Sequence, residues 1–520
     1  MKRLPWSYYR GSFLLCHLTF PFRSGKSLCL VFLTFAAVKE NDTYQVVIGL
    51  EVHTQLLTQS KLFCGDSAAF STDPNTHISP ITLAHPGTLP MTNTKAIEYA
   101  IKLGLALHCD IEQYNYFARK NYFYPDLPKG YQVSQHTTPI CKNGFVKIKV
   151  GETDRKIRLN RIHIEEDAGK SLHDTDENYT SIDLNRAGVP LLEIVSEPDI
   201  HSSDEAFAYI TELRRLVTWL GICDGNMEEG SMRCDANISI RPKGDTKLGT
   251  RVEVKNLNSI RNVKRAIDAE VTRLVGITER GEKIIQETRS YDADNNITFS
   301  LRTKEDADDY RYFPEPDLTP FKITDDYLLK IKNALPVLPG DLKEHYIKDL
   351  QLPEYDATVI CEDKELADYF EELLIHCKNH KAAANWLLGP VKSHLNYNNT
   401  GYRSFSLKPG KLAALIQLVD EGKISFGMAS AKLLPALIGQ PGKDPEALAA
   451  TLNLVLETDS RSIEQWVDEA IAGMPDKAAE YKKGKKGLIG LFAGEVKKLS
   501  KGKADMQQVK TLLNKKLNNQ

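Results

Sequence analysis

Between Tyr44 and Leu56 apolar residues fall on alternate positions, with Val46, Ile48, Leu50 and Val52 on one side, which predicts a strand with one buried face. The same alternation brings Glu51 and His53, two positions apart, onto the opposite face. Thr94 to His108 has helical spacing instead, and the Gly, Pro and Asn between Asp73 and Asn93 mark loop. Ser202 and Glu205 form a capping-box pair ahead of an amphipathic run through Ile210, Leu213 and Val217. Alternation returns over Ser231 to Arg241 and Arg251 to Lys255, and a helix is expected from near Ser259 to Leu274. Residues 44–335 therefore mix strands and helices, the expectation for an α+β body.

After Pro339 the pattern is helical throughout. Segments 363–376, 382–396, 408–422, 426–438, 460–473, 486–499 and 506–517 all read as helices, with Gly401 to Lys411 and Gly439 to Asp444 as linker candidates. The expected organisation is an N-terminal extension over 1–43, a catalytic-looking body over 44–335, a helical domain over 336–404 and a helical tail over 405–520. No internal repeat or low-complexity segment stands out.

Charge changes this picture at one end. The 520 residues carry a formal net charge of -2, with 42% hydrophobic and 26% charged residues, ordinary for a soluble chain of several domains. From Asp476 onward, however, twelve lysines face only Asp476, Glu480, Glu495 and Asp505, which suggests a polyanion-binding appendage or a merely solvated Lys-rich helix. The nine cysteines are scattered without a CxxC and read as reduced thiols. Residues 1–39 hold basic but no acidic side chains, and their apolar run from Leu28 to Val38 is too short to span a bilayer. A late signal-peptide core, an organellar transit peptide and translation from upstream of the true start are all compatible; the last is favoured because packed-domain patterning begins near Tyr44.

The body is dense in carboxylates interleaved with cations. His163-Ile-Glu165-Glu166-Asp167-Ala-Gly-Lys170-Ser171 is followed by Asp183 to Arg186 and Glu193 to Asp199, then by Met227 to Asn237 and Arg251 to Ser259. Oxygen donors select hard cations such as Mg²⁺, and Arg or Lys clamps phosphate, so the mixture suits phosphoryl transfer; ion pairs around strand ends are the plainer reading. Gly169-Lys170-Ser171 is not a P-loop, because Ile164 stands where that loop needs glycine. His376 and His380 flank Cys377 without further ligands nearby, which favours an exposed helix face over zinc. The aromatic stretches Asn121 to Gln132 and Asp308 to Asp317 suit rigid loops that stack on bases or pack on the core. Neither a serine-amidase run nor a Cys–His nucleophile pair is evident, so an amidating chain would take its ammonia from elsewhere.

Taken together, Ile48 to His53, Arg119 to Asp126, His163 to Ser171, Asp183 to Arg186, Glu193 to Asp199, Met227 to Ser239, Lys255 to Ser259 and Asp308 to Asp317 closely resemble the B subunit family of the heterotrimeric aspartyl/glutamyl-tRNA amidotransferases. The resemblance runs from about Tyr44 to the C-terminus. It implies a cradle-like α+β body followed by an all-α domain and an all-α YqeY-like tail. It also implies ATP- and Mg²⁺-dependent phosphorylation of the side-chain carboxylate of Glu-tRNA(Gln) or Asp-tRNA(Asn), then amidation with ammonia from a partner amidase (glutaminase). The implied partners are that amidase, which is the A subunit, the tRNA, and a small C subunit, with no membrane. The implied location is the cytoplasm, or an organellar matrix if residues 1–39 are a transit peptide.

Carried onto this chain, the resemblance makes Glu51, His53, Glu166, Glu253 and Asp235 the magnesium candidates. Glu51, His53, Glu166, Lys170 and Lys255 become catalytic candidates, and Arg233, Lys170 and Asn256 candidates for binding nucleotide. Where many relatives have a zinc-knuckle pattern, this chain keeps Cys64 but has Asp66, Ser79 and Thr82, so structural zinc is not expected. The tail also resembles the family's, and neutralising Lys485, Lys486, Lys501 and Lys503 should weaken tRNA binding. The competing readings are a non-catalytic tRNA-binding scaffold and a carboxylate–amine ligase working alone.

Overall fold

The computed structural model describes residues 43–173, 178–303, 310–457, 459–500 and 502–519. Residues 1–42 of the expected N-terminal extension, Asp308, Asp309 and Lys501 lie outside them.

The body is built on one ten-stranded sheet. Its main strands are β1 (Tyr44–Gln55), β2 (Thr153–Glu166), β3 (Pro190–Ser196), β4 (Met232–Pro242), β5 (Val252–Leu257), β6 (Glu287–Asp292) and β7 (Ile297–Thr303). They lie in the order β7-β6-β5-β4-β1-β3-β2, after which come the short strands Cys141–Lys142 and Asp110–Ile111. Every pairing is antiparallel except β5 with β6.

Alternation decides the two faces of this sheet. Leu50 and Val52 of β1, Ile162 and Ile164 of β2, Leu192 and Ile194 of β3, and Val252 and Val254 of β5 are fully buried in one core. That core is closed by helices α1 (Thr94–Ala106), α2 (Ser203–Trp219) and α3 (Ile260–Glu279). Gly104 of α1 sits so tightly on the sheet that a Cβ there would come within 2.4 Å of Cys141 Sγ. Truncating Leu50 to Ala would cost about 2–5 kcal/mol by opening a cavity in this layer. Among the described residues no helix covers the other face at its centre, and the polar members of the same strands emerge there.

The Ser202 hydroxyl caps α2 by accepting from the Glu205 amide, as the spacing predicts. The Glu205 carboxylate accepts from the His201 amide rather than closing the box on Ser202 itself. The α3 helix runs on to Glu279, beyond the expected end.

The helical half differs from expectation in several places; for one, the expected helix 426–438 carries a π-helical stretch at Ala429–Leu433. Segment 382–396 is not one helix: Pro390 lacks the N–H that a regular turn requires, and Leu387–Val391 forms a π-helical bulge between His380–Trp386 and Lys392–Tyr397. The packing also moves the expected boundary at 404/405. Buried residues from Leu342 to Leu454 form one cluster, joined by Trp219, and those from Ile463 to Leu517 form another. The Gly401–Lys411 stretch lies inside the first cluster, with Tyr402 donating to the Leu387 carbonyl. Among the described residues, no helix is long and apolar enough to cross a membrane.

Candidate functional site

Register across the sheet brings distant residues together on the uncovered face. His53 of β1 lies opposite Glu193 of β3 on one side and Arg233 of β4 on the other, and Glu193 in turn lies opposite His163 of β2. Directly paired residues point to the same face. The result is a knot of two imidazoles and two carboxylates. His53 Nε2 is 3.4 Å from Glu193 and 3.7 Å from Glu165, while His163 Nε2 is 3.4 Å from Glu193 and 3.5 Å from Glu165. The ligating atoms of His53, Glu165 and Glu193 all lie within 4.8 Å of one another, a spacing that can hold a metal ion.

Burial and charge work against each other in this knot. Burial by itself disfavours the charged forms, but the two carboxylates raise His163 to about 9 and also raise His53. The imidazoles in turn hold Glu193 well below the ordinary carboxylate range, against the upward push of its own burial. His163 Nδ1 is buried, with no hydrogen-bond partner among the described residues.

A second acidic cluster adjoins the first. Glu51 lies opposite Asp235, and Asn237 opposite Glu253. Asn237 donates to Glu51 at 2.8 Å, Thr288 of β6 donates to Glu253 at 2.9 Å, and Lys255 reaches Asp235 at 2.7 Å and Glu253 at 3.2 Å. Burial, followed by repulsion from Glu193 and Glu253, raises the Glu51 carboxyl above its usual range. Arg233 closes the edge of the site with a 2.7 Å hydrogen bond to Asp167.

Of the residues singled out from sequence, Glu51, His53, Arg233, Asp235, Glu253 and Lys255 come together on this face. Glu166 does not. It has the opposite parity to His163 and Glu165 on β2, accepts from the Val133 amide at 2.9 Å and is ion-paired with Lys129. It lines a small cavity with Lys61, Cys64 and Lys129, so the structure does not bring it beside His53, where Glu165 lies instead. Lys170 is also apart, exposed on the two-stranded ribbon that Lys170–Leu172 makes with Ser181–Asp183, outside the ten-stranded sheet. Asn256 sits at the rim of the face, at φ 63°, and donates to Ser290 Oγ.

Glu165, Glu193 and His163 are site residues that the sequence reading misses. The signal for them is parity: Arg161, His163 and Glu165 are spaced in twos, as are Glu51 and His53.

Two other features border the site. Tyr312 stacks on His136 with ring centroids 4.0 Å apart, and burial together with Glu165 and Glu193 pushes its phenol up to about 12. Its neighbour Tyr310 packs edge-on against Tyr122, with Lys120 over both rings. The aromatic stretches thus form a wall beside the carboxylates. At the knuckle positions, Thr82 donates to Asp66, and Cys64 Sγ lies 3.5 Å from Thr82 Oγ1. One thiol, one carboxylate and two hydroxyls are not a closed zinc donor set.

The family model described as the GatB/GatE catalytic domain matches residues 46–329, and the one described as the GatB domain matches 368–517. The chain is 47% identical over 470 residues to a protein from Thermodesulfovibrio yellowstonii, covering 90% of this chain and 98% of that one. It is 48% identical over 474 residues to one from Syntrophotalea carbinolica, covering 91% and 98%. A third, from Bdellovibrio bacteriovorus, is 46% identical over 475 residues, covering 91% and 99%. All three are named as the B subunit of an aspartyl/glutamyl-tRNA(Asn/Gln) amidotransferase. With its body and its helical half both matched and nine-tenths of its length aligned, the chain belongs to the B subunit family of the aspartyl/glutamyl-tRNA(Asn/Gln) amidotransferases.

Proposed function

We propose that the uncovered face of the sheet binds ATP with divalent cations and phosphorylates the side-chain carboxylate of Glu-tRNA(Gln), Asp-tRNA(Asn) or both. The observation that carries this reading is the adjacency of two acidic clusters, His53/Glu165/Glu193 and Glu51/Asp235/Glu253, with Lys255 and Arg233 beside them. Metal-assisted phosphoryl transfer needs such a grouping, because its transition state spreads negative charge over phosphate oxygens.

The donor sets suit such ions. Glu51, Asp235 and Glu253 offer only oxygen, as Mg²⁺ prefers, and His53, Glu165 and Glu193 offer a mixed set open to several divalent ions. A bound divalent ion supplies positive charge to the phosphate oxygens. The chain's own groups do the rest. Lys255 and Arg233 neutralise phosphate or carboxylate charge. The hydrogen bonds from Asn237 and Thr288 fix the orientation of Glu51 and Glu253. The wall of Tyr310, Tyr312 and Tyr122 limits water on one side.

In the reaction, a carboxylate oxygen of the aminoacyl group attacks the terminal phosphorus of ATP, the bond to ADP breaks, and an acyl phosphate forms. Ammonia then attacks the acyl carbon, inorganic phosphate leaves with the C–O electron pair, and loss of a proton gives the amide. The ammonia comes from a partner amidase, the A subunit, which works with this chain in the presence of a small C subunit; the complex acts in the cytoplasm.

The test mixes the chain with labelled Glu-tRNA(Gln), γ-labelled ATP and Mg²⁺, with and without the amidase and glutamine. Label on the aminoacyl group without the amidase is the expected result. If no acyl phosphate forms with any addition, while tRNA still binds, the chain is a scaffold instead.

A further inference from the structure

Beyond the acidic clusters, the uncovered face ends in an apolar stripe. Ile297, Phe299 and Leu301 of the edge strand β7 are 53%, 47% and 51% exposed. The register places the stripe on the same face as the site: Lys255 pairs with Ser290, and Ser290 pairs with Phe299. The alternate residues agree with the assignment, because Thr298 hydrogen-bonds Glu270 of α3 and Arg289 on the covered side. Half-exposed aliphatic and aromatic side chains in a row on an edge strand are a cost unless something covers them.

What adjoins the ring is polar and already oriented. The β4–β5 register slips between Cys234 and Ala236, leaving an extra residue on β5 near Lys255 and Asn256. At this bulge Asn256 takes a left-handed conformation, φ 63°, which Asn tolerates better than most residues. Its exposed amide then reaches across to Ser290 Oγ at 3.0 Å, beside Phe299. Phe299 stands two strands from Lys255, roughly 9–10 Å away by strand spacing. That gap fits the ribose and phosphates between a nucleobase and its terminal phosphoryl group.

We infer that Phe299, flanked by Ile297 and Leu301, is the stacking platform for the base of the nucleoside triphosphate, with the Asn256 amide reading the base edge. The inference rests on the reading of the uncovered face as a triphosphate site and adds where the base lies. Charge complementarity favours a nucleotide over an apolar peptide: the stripe leads directly into Lys255, Glu253 and Asp235 rather than into further apolar surface. Phe299 acts by positioning and selecting the nucleotide and touches no reacting atom.

The experiment measures equilibrium binding of ATP and of inorganic tripolyphosphate to the full chain in Mg²⁺. In Phe299→Ala, ATP binding should weaken roughly tenfold, the loss of one aromatic–base stack, with tripolyphosphate binding unchanged. Phe299→Tyr, which keeps the ring, should restore ATP affinity, and Asn256→Ala should narrow the preference for ATP over CTP severalfold. Equal loss of both ligands in Phe299→Ala would mean that the ring supports the fold, and unchanged ATP affinity would remove the platform while leaving the triphosphate site intact. Unchanged ATP affinity with loss of complex formation with the amidase would make the stripe a protein contact. If the wild-type chain binds neither ligand, the triphosphate reading itself fails, a result distinct from the others.

Discussion

The uncovered face of the sheet and the basic tail are both rich in charge, yet they hold it in opposite ways. On the sheet, carboxylates from β1, β2, β3, β4 and β5 crowd together in partial burial, and burial, followed by repulsion from Glu193 and Glu253, raises Glu51 even with Asn237 bonded to it. In the tail the lysines sit on exposed helices, and several are already matched: Lys485 with Glu480, Lys516 with Glu464 and Asp468, and Lys503 with Asn453. Crowding like charge costs folding energy, which is a reason to expect a ligand or ion there. Dispersed surface cations cost little and bind polyanions weakly and additively. A net charge read from sequence does not distinguish the two.

The sharpest way to break this comparison is at the acidic clusters. Glu165→Gln and Asp235→Asn should each lower acyl-phosphate formation by about a thousandfold or more, because charge aimed at a transition state is lost. Single-turnover assays with γ-labelled ATP measure this, and near-normal rates in both would end the metal-site reading.

Glu166 provides the next contrast. Its neighbour Glu165 belongs to the site, whereas Glu166 is a buried partner of Lys129 on the other face. Glu166→Gln should therefore destabilise the body by about 3 kcal/mol, the loss expected when one member of a buried pair is removed. Chemical denaturation reads the loss directly, and metal affinity measured at the same time should stay close to wild type.

Acid sensitivity separates buried from exposed pairs. Burial pushes the Glu315 carboxyl up, but its hydrogen bonds with Arg119 more than offset this and hold it below the usual range. A depressed folded pKa stabilises the protein fully above the unfolded value of about 4.3, and the gain is lost as pH falls through the folded value. The Tm advantage of wild type over Glu315→Gln should thus be constant near neutrality and shrink below about pH 4.3. Glu480, held down to about 2 by Lys477 and Lys485, lies at the surface of the tail, and Glu480→Gln should leave the Tm profile flat by comparison.

The smallest effect lies in the tail. Among its described residues, Lys483, Lys497 and Lys510 have no carboxylate within 4.0 Å, unlike Lys485. Changing those three to Gln should reduce the salt slope of tRNA binding by nearly one each, and changing Lys485, Lys486 and Lys503 by less. Equal slopes from the two triple variants would mean that pairing in the free protein has no bearing on which lysines meet phosphate.

Much of the fold was legible along the chain. The period of two gave β1, β4 and β5 nearly to the residue, and helical spacing gave α1 and most helices after Lys364. The 14-residue β2 is not legible in the same way, because its buried apolar positions change parity, from Ile157 and Leu159 to Ile162 and Ile164. With the parity of β2 hidden, Glu166 stands in for Glu165. Glu253 and Asp235 are found as motif residues, but their contact through Lys255 depends on a β-bulge that no local pattern announces.

The sequence by itself determined which residues share a side wherever alternation is unbroken, as in β1 and β4, since alternation follows from backbone stereochemistry within a few residues. It also set where helices begin and where lysines concentrate. Only the tertiary structure decided which strands are neighbours: Glu51 meets Asn237 across 186 residues of chain. That choice is made by burying Leu50, Ile164, Ile194 and Val254 together beneath α1, α2 and α3, and the acidic groups converge on the other face as its consequence.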